Sequence, residues 1–198
     1  MTPPVPSVPP ASQPVFPLPC GMVLRPWREA DAGVLVAAYE DPGIRHWNRP
    51  EPETPDSAVA RIRRWHGRWS EGGAAMWALG RPGPDPAVGL VGLGDIDRRG
   101  GSAEFLYWLL PEGRGHGAME QAVRAVSHWA FTDAGLHRLR ICHSVANPAS
   151  CAVATRAGFL LEGTMRGALL HADGFHDEHL HARLATDGPV LAEPAPGS

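Results

Sequence analysis

The stretch AEFLYWLLPEGRGHGAMEQA, residues 103–122, carries the strongest structural signal in the chain. Residues 103–110 show little polar alternation, which predicts a central β-strand covered on both faces. A helix is predicted to begin at Ala118, directly after a connection that contains Gly113, Gly115 and Gly117. Glycines let backbone amides converge there, and a helix N-terminus adds free N–H groups and a positive dipole. The segment therefore indicates a phosphate or pyrophosphate site; the alternative is a turn that only changes the chain direction.

The glycine spacing at 113, 115 and 117 is not the dinucleotide-binding fingerprint. The third glycine is at the wrong offset, and no acidic residue at a strand end follows about 20 residues later. A second glycine run, Gly89, Gly92 and Gly94, lies inside a predicted strand. Glycine in a strand indicates close approach of another backbone or of a ligand.

The order of predicted elements indicates an α/β layer protein with a mixed sheet. A strand is followed by two helices, three strands, a helix, a strand, a helix and two strands. The first helix is predicted to end at Glu40–Gly43, and Thr54 to cap the second. The predicted strands are 22–26, 74–80, 87–96, 103–110, 139–145, 164–171 and 175–185; the predicted helices are 29–39, 55–71, 118–134 and 148–157.

Proline density sets the domain boundaries. Residues 1–19 contain eight prolines, which predicts an extended, mobile N-terminal arm. Residues 187–198 contain three prolines and are predicted to form a flexible tail. Residues 20–186 remain as a single domain of ordinary size.

The charge balance excludes several function classes. The 198 residues carry 18 basic and 21 acidic side chains, a net charge of −3, which argues against nucleic-acid binding and a polybasic membrane anchor. All 18 basic residues are arginine. The absence of lysine excludes a Walker A loop, a pyridoxal Schiff base and a protein-kinase site, since each needs a lysine amine.

Cysteine usage and hydropathy indicate a cytoplasmic protein. The three cysteines, Cys20, Cys142 and Cys151, form no C-x-x-C pair and no disulfide framework. We therefore expect a reducing cytosol. The chain has no apolar run of membrane-spanning length and no signal peptide, so no membrane association is expected.

A second informative stretch is VANPASCAVATRAGF, residues 145–159. Asn147 and Ser150 lie at a predicted helix start, where both residue types serve as N-caps. Taken alone, the stretch is equally consistent with simple capping or with a ligand contact.

Together these stretches resemble the GCN5-related N-acetyltransferase (GNAT) family, and most closely its branch of RimJ/RimL-type ribosomal-protein N-terminal acetyltransferases. The resemblance rests on a strand with an internal glutamate, R-G-x-G opening a helix, and N-x-x-S followed by G-F. The segments LRPWREAD, AGLHRLRICHSVANPAS and HADGFHDEHLHARL occur in the order of that branch, over residues 22–184. The resemblance implies a single-domain α/β (α+β) fold: a mixed, mostly antiparallel sheet with helices on both faces and splayed central strands.

The resemblance implies an N-acetyltransferase that moves the acetyl group of acetyl-CoA directly to an amine and uses no metal. The acceptor would be a protein N-terminal α-amine or a small-molecule amine, and a homodimer is plausible by analogy. Two alternatives stay open. One is a non-catalytic acyl-CoA sensor on the same fold, and the other is an unrelated phosphate-binding enzyme.

The resemblance also implies a set of cofactor-binding residues. Backbone amides of the glycine connection and the helix start would wrap the pyrophosphate: Arg114, Gly115, His116, Gly117, Ala118 and Met119. Leu109 and Leu110 would pair with the pantetheine arm, and an amide near Leu109 would act as an oxyanion donor. Asn147 would hydrogen-bond the pantetheine side. The family usually has glycine or alanine at the position of Met119, which leaves a backbone donor in place.

Two residues are predicted to be catalytic. Ser150 would lie near the sulfur. The tyrosine that many relatives use is replaced by Ala154, so Ser150 or a water would protonate the leaving thiolate. Glu104 would take a proton from the attacking amine, directly or through water. Burial inside a central strand is expected to raise the pKa of Glu104. The alternative for Glu104 is a carboxylate that only pairs with an arginine.

Weaker candidates have structural explanations. The histidines at 171, 176, 179 and 181 lack a known zinc spacing, and strand alternation separates His176 from the last two, so solvated or pairing histidines are expected. Cys151 could be a nucleophile if a histidine approached it, although a buried cysteine is commoner. The tryptophans at 27, 47 and 108 could line an acceptor pocket or pack in the core.

Overall fold

The computed structural model describes residues 12–188. Its strands are β1 (Phe16–Pro17), β2 (Val23–Pro26), β3 (Ala75–Gly80), β4 (Ala87–Asp97), β5 (Ser102–Leu109), β6 (Arg138–Ser144), β7 (Leu160–His171) and β8 (Gly174–Leu184). Its α-helices are α1 (Ala32–Glu40), α2 (Pro42–Asn48), α3 (Pro55–Glu71), α4 (Ala118–Thr132) and α5 (Pro148–Arg156). The predicted mixed α/β architecture is confirmed. Among these residues, no helix is both long and apolar enough to cross a membrane.

The eight strands form one sheet in the order β1-β2-β3-β4-β5-β6-β8-β7. Neighbours pair antiparallel except β5 and β6, which are parallel. The β5–β6 ladder joins only Ser102–Glu104 to Arg138–Arg140. Beyond Glu104 the two strands part, which confirms the expected splay of the central strands.

Helices cover both faces of the sheet and create two apolar cores. On one face, α4 and α5 pack on the sheet around Val123, Leu139 and Phe159. On the other face, α1, α2 and α3 pack around Trp27 and Ile62. Burying side chains of this size stabilises the fold by about 1.5–3 kcal/mol each. The two cores fix the parted ends of β5 and β6 from opposite sides.

Helix α2 was missed by the sequence analysis, which took residues 40–43 only as the end of the first helix. The same residues end α1 and start α2. The Asp41 carboxylate accepts the backbone N–H of Ile44 at 2.8 Å, and Pro42 occupies the first turn. Aspartate as N-cap followed by proline favours a helix start. Helix α2 matters because it lines one wall of the central cleft.

Residues 13–18 pack on the sheet, whereas the sequence analysis placed them in the mobile arm. The Trp77 indole N–H donates to the Pro14 carbonyl at 2.8 Å, and Gln13 Nε2 donates to the Met76 carbonyl at 2.9 Å. Leu18 is buried. Prolines suit this edge position, since their missing N–H costs no ladder hydrogen bond there. The folded part therefore begins before the predicted boundary at Cys20.

The remaining predicted terminal segments are only partly within the described range. Residues 1–11 of the predicted arm and residues 189–198 of the predicted tail lie outside it. Asp187, the first tail residue, accepts the backbone N–H of Leu184 at 2.8 Å and so stays attached to the end of β8.

Strand β5 is central, but the prediction that both its faces are covered is wrong for its second half. The Leu106 side chain is 47% exposed, and Tyr107, Trp108 and Leu109 are only partly buried. The cause is the splay, because the parted strands leave a cleft along this part of β5. The apolar run in the sequence therefore marks a strand that lines the cleft as well as the core.

The strand glycines Gly89 and Gly92 allow close strand packing. A Cβ at Gly92 would meet Met76 Sδ and would lie 2.7 Å from the Ala75 carbonyl oxygen. A Cβ at Gly89 would lie 2.6 Å from the Trp108 carbonyl oxygen. These distances confirm close backbone approach, one of the two explanations that the sequence left open for this glycine run.

Replacing Gly92 with alanine should lower the free energy of unfolding by about 1–3 kcal/mol, because the added methyl overpacks the β3–β4 contact. The matched control is Gly33→Ala in α1, where a Cβ meets nothing within 4 Å. That variant should be unchanged or more stable by up to about 1 kcal/mol. Denaturant unfolding of both variants checks this, and equal stabilities would contradict it.

Candidate active site

A cleft of about 480 Å³ lies where β5 and β6 part. Strand β5, the start of α4, strand β6, the first turn of α5 and helix α2 all contribute to its lining. Its walls include the predicted residues Glu104, Leu109, Arg114, Met119, Asn147 and Ser150. These six predicted residues thus come together at one place, although they come from segments almost 50 residues apart; the other predicted residues, Leu110 and residues 115–118, do not line the cleft.

The first turn of α4 has backbone N–H groups without an acceptor inside the helix. Gly117 occupies the N-cap in a left-handed conformation (φ 65°), and no side chain within residues 12–188 caps this helix. The first helical hydrogen bond runs from Gln121 N–H to the Gly117 carbonyl at 3.2 Å. The amides of Ala118 and Met119 therefore have no acceptor inside the helix. Free amides at the positive end of a 15-residue helix suit an anion.

The three glycines of the connection have different tasks. Gly115 has a φ of 90°, and nothing lies within 4 Å of where its Cβ would be. Gly113 is instead packed, because its Cβ would lie 2.9 Å from Val88 Cγ2. Its N–H already donates to the Leu110 carbonyl at 2.9 Å. Gly115 and Gly117 therefore shape the candidate anion site, while Gly113 seats the turn on the sheet.

The Arg114 side chain connects two elements of the cleft. Its Nε donates to the Leu109 carbonyl at 3.0 Å, and its Nη2 lies 3.0 Å from Asp41 Oδ1 at the start of α2. The bridge is partly exposed. The Arg114 backbone N–H is also committed, because it donates to the Pro111 carbonyl at 3.1 Å and not to the predicted anion site.

Leu109 and Leu110 present different backbone groups to the cleft. The Leu110 N–H donates to the Val88 carbonyl of β4 at 2.9 Å, so that amide is committed to the sheet. Amides of successive strand residues point in opposite directions, so the Leu109 N–H points away from β4. The expected amide donor near Leu109 is therefore directed towards the side on which β6 has departed.

Asn147 is the N-cap of α5, and Ser150 is not a cap. The Asn147 side-chain oxygen accepts the Ser150 backbone N–H at 3.1 Å. Because Asn147 caps the helix, the Ser150 hydroxyl is not needed for capping. It is buried and lies 2.6 Å from the Tyr107 hydroxyl. Capping fixes the first turn of α5 so that the serine hydroxyl stays at the cleft wall.

Tyr107 was missed by the sequence analysis, which looked for a tyrosine only in the short helix α5. Burial raises the pKa of Tyr107 to about 12, and the hydrogen bond with Ser150 lowers it only in part. The phenol is therefore a protonated donor at neutral pH. Strand alternation offered a signal, because Tyr107 and Phe105 must face the α4–α5 side together.

Glu104 lines the cleft but is not buried as expected. Its side chain is 27% exposed, and its Oε2 accepts from Arg140 Nε at 2.6 Å. This hydrogen bond raises the pKa of Arg140, with burial opposing it. Glu104 loses its expected desolvation because the parted strands admit solvent beside it. The arginine pairing that the sequence analysis gave as the alternative is therefore present, at a position open to the cleft.

Two further groups of the cleft, Glu178 on β8 and Cys142 on β6, were also missed. Burial and the charge of Glu104 raise the pKa of Glu178. Burial, followed by the carboxylates of Glu104 and Glu178, raises the pKa of the Cys142 thiol to about 12. Cys142 thus stays a thiol and is a poor nucleophile. Finding these neighbours required the register of β8 on β6, which the sequence does not state.

The four late histidines divide as strand alternation predicted. The His171 Nδ1 donates to the His46 carbonyl at 2.7 Å, and His176 Nε2 lies 3.0 Å from Asp173 Oδ1. Both histidines are pairing residues on the side of α2. His179 and His181 lie elsewhere, near His143 on β6.

The expected tryptophan roles are also resolved. Trp27 is fully buried and lies against Trp65 and Trp108, with ring centroids 5.4 and 6.3 Å away. Trp27 is therefore a core residue. Trp47 and Trp108 line the cleft as well.

The family model and the curated proteins that match this chain are acetyltransferases. The acetyltransferase (GNAT) domain family matches residues 22–160. The ribosomal-protein-serine acetyltransferase of Escherichia coli (strain K12) is 35% identical over 100 residues, which are 50% of this chain and 56% of that protein. The chain spans about half the length of the curated relatives that it matches.

Solved structures of acetyltransferases also resemble this chain. Mycobacterium smegmatis RimJ in complex with CoA-disulfide has a TM-score of 0.75 and 25% identity, covering 86% of this chain and 87% of that chain. The Vibrio fischeri ribosomal-protein-S5-alanine acetyltransferase has a TM-score of 0.80 over 88% of this chain and 98% of that chain; at 21% identity it shows the fold alone. Since the family match covers well over half of the sequence, this chain belongs to the acetyltransferase (GNAT) domain family.

Proposed function

We propose that this chain is an N-acetyltransferase that moves the acetyl group of acetyl-CoA directly to a primary amine in a ternary complex. The observation that carries the proposal is the position of α4, whose uncapped N-terminus opens onto the cleft between β5 and β6. Relatives named as acetyltransferases support turnover over the alternative of an acyl-CoA sensor.

The backbone amides of residues 115–119 would hold the carrier's pyrophosphate, while the Arg114 amide stays bonded to the Pro111 carbonyl. Amides of Gly115, His116 and Gly117 in the connection, and of Ala118 and Met119 in the first turn, surround the positive end of the helix. His116 is exposed, and the buried Met119 side chain lines the cleft. Met119 therefore contributes its amide while its side chain packs below the carrier.

The pantetheine arm would run along β5 as an added strand. The Leu109 N–H would pair with the arm or polarise the thioester carbonyl as an oxyanion donor. Leu110 would contribute packing only, because its amide is held by Val88. Asn147 lies on the opposite wall, where its side-chain amide nitrogen can meet the arm while its oxygen caps α5.

Ser150 and Tyr107 would form a short proton relay to the leaving sulfur. The raised pKa keeps Tyr107 protonated, so Tyr107 can donate to Ser150 Oγ across 2.6 Å. The serine hydroxyl proton is then free to point at the thioester sulfur. When the C–S bond breaks, Ser150 gives its proton to the thiolate and regains one from Tyr107, and the proton that Glu104 takes from the amine returns to Tyr107 through water, so that no net proton is lost from the site. This arrangement supplies the tyrosine that α5 lacks.

Glu104 would accept the proton of the attacking amine, with Glu178 as a second carboxylate beside it. Both line the same cleft, and Glu104's charge raises the pKa of Glu178. Arg140 holds Glu104 in place at 2.6 Å and leaves Oε1 to face the acceptor or a bridging water. Two carboxylates also attract an ammonium ion before it loses its proton.

The acceptor would be a protein N-terminal α-amine, with a small-molecule amine as the second candidate. The names of the curated relatives refer to ribosomal proteins, which favours a peptide. We place the reaction in a reducing compartment such as the cytoplasm, because Cys20, Cys142 and Cys151 are all unpaired.

Acetyl-CoA should bind the purified chain, and free thiol should be released when peptides with an unblocked N-terminal serine or alanine are added. Calorimetry with acetyl-CoA and with plain nucleotides measures binding; a thiol reagent measures turnover. Matched peptides with an acetylated N-terminus are the control, and polyamines test the small-amine candidate. Binding without release on any amine would indicate the sensor, and equal affinity for plain nucleotides would indicate an unrelated phosphate site.

Glu104→Gln should lower kcat roughly 100-fold near pH 6.5, because the peptide amine is then mostly protonated and needs a base. The loss should shrink above about pH 8, where the α-amine deprotonates itself. Affinity for acetyl-CoA should change little. Glu178→Gln is the matched variant and should have the smaller effect. An unchanged pH–rate profile for Glu104→Gln, with a pH-dependent loss in Glu178→Gln, would assign the base to Glu178.

Ser150→Ala and Tyr107→Phe should each reduce kcat by roughly 100-fold with the fold retained, because either change breaks the relay.

Tyr107 is one of only two tyrosines, so its titration is separable in the difference between the absorbance of the wild-type protein and that of Tyr107→Phe. Its tyrosinate absorbance should rise near pH 12 in the folded protein, against a usual value of 10.0. The raised pKa adds stability below about pH 10, and that stability should fall as pH rises towards 12. Tyrosinate appearing near pH 10 would contradict a buried phenol.

A further inference from the structure

Four potential metal ligands meet on the α5 side of the sheet. They are His143 on β6, Cys151 in the first turn of α5, and His179 and His181 on β8. One ligand atom from each side chain lies within 4.8 Å of the others. An H-x-H pair on a strand puts both imidazoles on one face. The antiparallel register of β6 with β8 then sets His143 directly opposite His179.

Two of the histidines are oriented by backbone carbonyls. His143 Nδ1 lies 2.8 Å from the Ser144 carbonyl, and His181 Nδ1 lies 3.5 Å from the Phe159 carbonyl. A carbonyl accepts only from N–H, so each Nδ1 carries the proton and each Nε2 keeps its lone pair. Metal-binding histidines are commonly held in this way, with one nitrogen on a carbonyl and the other free for the ion.

Two ring nitrogens of the cluster are buried and lack a hydrogen-bond partner within the described chain. His143 Nε2 and His179 Nδ1 are buried without a hydrogen bond, and the His143 and His181 side chains are almost fully enclosed, at 6% and 2% exposure. His181 Nε2 faces Cys151 Sγ at 4.0 Å. Buried polar atoms without hydrogen bonds cost free energy. A cation that accepts several lone pairs would remove this cost.

We propose that His143, Cys151, His179 and His181 bind a Zn²⁺ ion in a closed, tetrahedral site. Three imidazoles and one thiolate are ligands that zinc prefers, and four protein ligands leave no open position, which is typical of structural zinc. Tetrahedral Zn–N and Zn–S bonds put ligand atoms roughly 3.3–3.8 Å apart. Side-chain adjustments of about 1 Å would therefore close the present cluster onto an ion.

Zinc binding would tie the first turn of α5 to β6 and β8. The Cys151 thiol loses its proton as the Zn–S bond forms, so one proton is released for each ion. Ser150 is the neighbouring residue, and its hydroxyl position against Tyr107 would be fixed by the same cross-link. The expected role of the ion is structural, and zinc binding would differ from the sequence-based expectation that these histidines are only solvated or pairing.

Cobalt(II) titration of the tag-free, reduced full-length chain, without any coenzyme A, tests the site. One equivalent should bind and give a thiolate-to-cobalt charge-transfer band with the strong visible bands of a tetrahedral ion, and Zn²⁺ should abolish both. Cys151→Ala should lose the charge-transfer band, and His179→Gln should weaken binding at least roughly tenfold. The matched controls are Cys142→Ala and His176→Gln, which alter the opposite faces of the same strands and should retain the spectrum.

A second measurement on the wild-type chain covers the case in which Cys151→Ala does not fold. One equivalent of Zn²⁺ should slow alkylation of Cys151 roughly tenfold, as mapped by peptide mass spectrometry, with Cys20 unaffected. The proposal is overturned by the absence of a cobalt–thiolate band, by a band that survives in Cys151→Ala, or by a band that depends on Cys142. Equal alkylation of Cys151 with and without zinc would overturn it as well.

Discussion

The parallel contact between β5 and β6 is only three residues long, and the whole site depends on it. Packing keeps the strands apart beyond that contact. On one face Phe105 meets Phe159 edge-on with ring centroids 5.7 Å apart, and on the other face Trp108 lies against Trp27. A sheet that parts at its centre leaves backbone N–H and C=O groups unpaired, and such groups favour an extended ligand that completes the ladder. The apolar cores thus hold open a gap that only a strand-like molecule can fill well.

Alternation along β5 divides the proposed chemistry between the two faces of the sheet. Tyr107 faces α5 and reaches Ser150, while Glu104 faces the side of Cys142 and Glu178. One strand can therefore offer a proton donor near the leaving sulfur and a proton acceptor near the incoming amine, three residues apart. Separation by the sheet prevents the two groups from neutralising each other. Burial keeps the Tyr107 phenol protonated, and the Arg140 guanidinium holds the Glu104 carboxylate in position.

Most of the fold could be predicted from periodicity and turn residues, because helices such as α4 and strands such as β4 carry clear local patterns. Helix α2 could not, since Asp41 and Pro42 read equally well as the end of one helix and the start of the next. The candidate anion site could also be anticipated, because free backbone amides at a helix start need only glycines and a helix N-terminus. Glu178, Tyr107 and the Cys151 cluster depend on register and on long-range packing, which a single sequence does not encode locally. The burial of Glu104 was misjudged for the same reason: its strand is central, yet its neighbour departs beside it.

The Arg114 side chain joins two walls of the cleft, the end of β5 and the start of α2. Its guanidinium reaches the last carbonyl of β5 and the carboxylate that begins α2, at 3.0 Å each. The position of α2 is therefore coupled to the end of β5 through one partly exposed side chain.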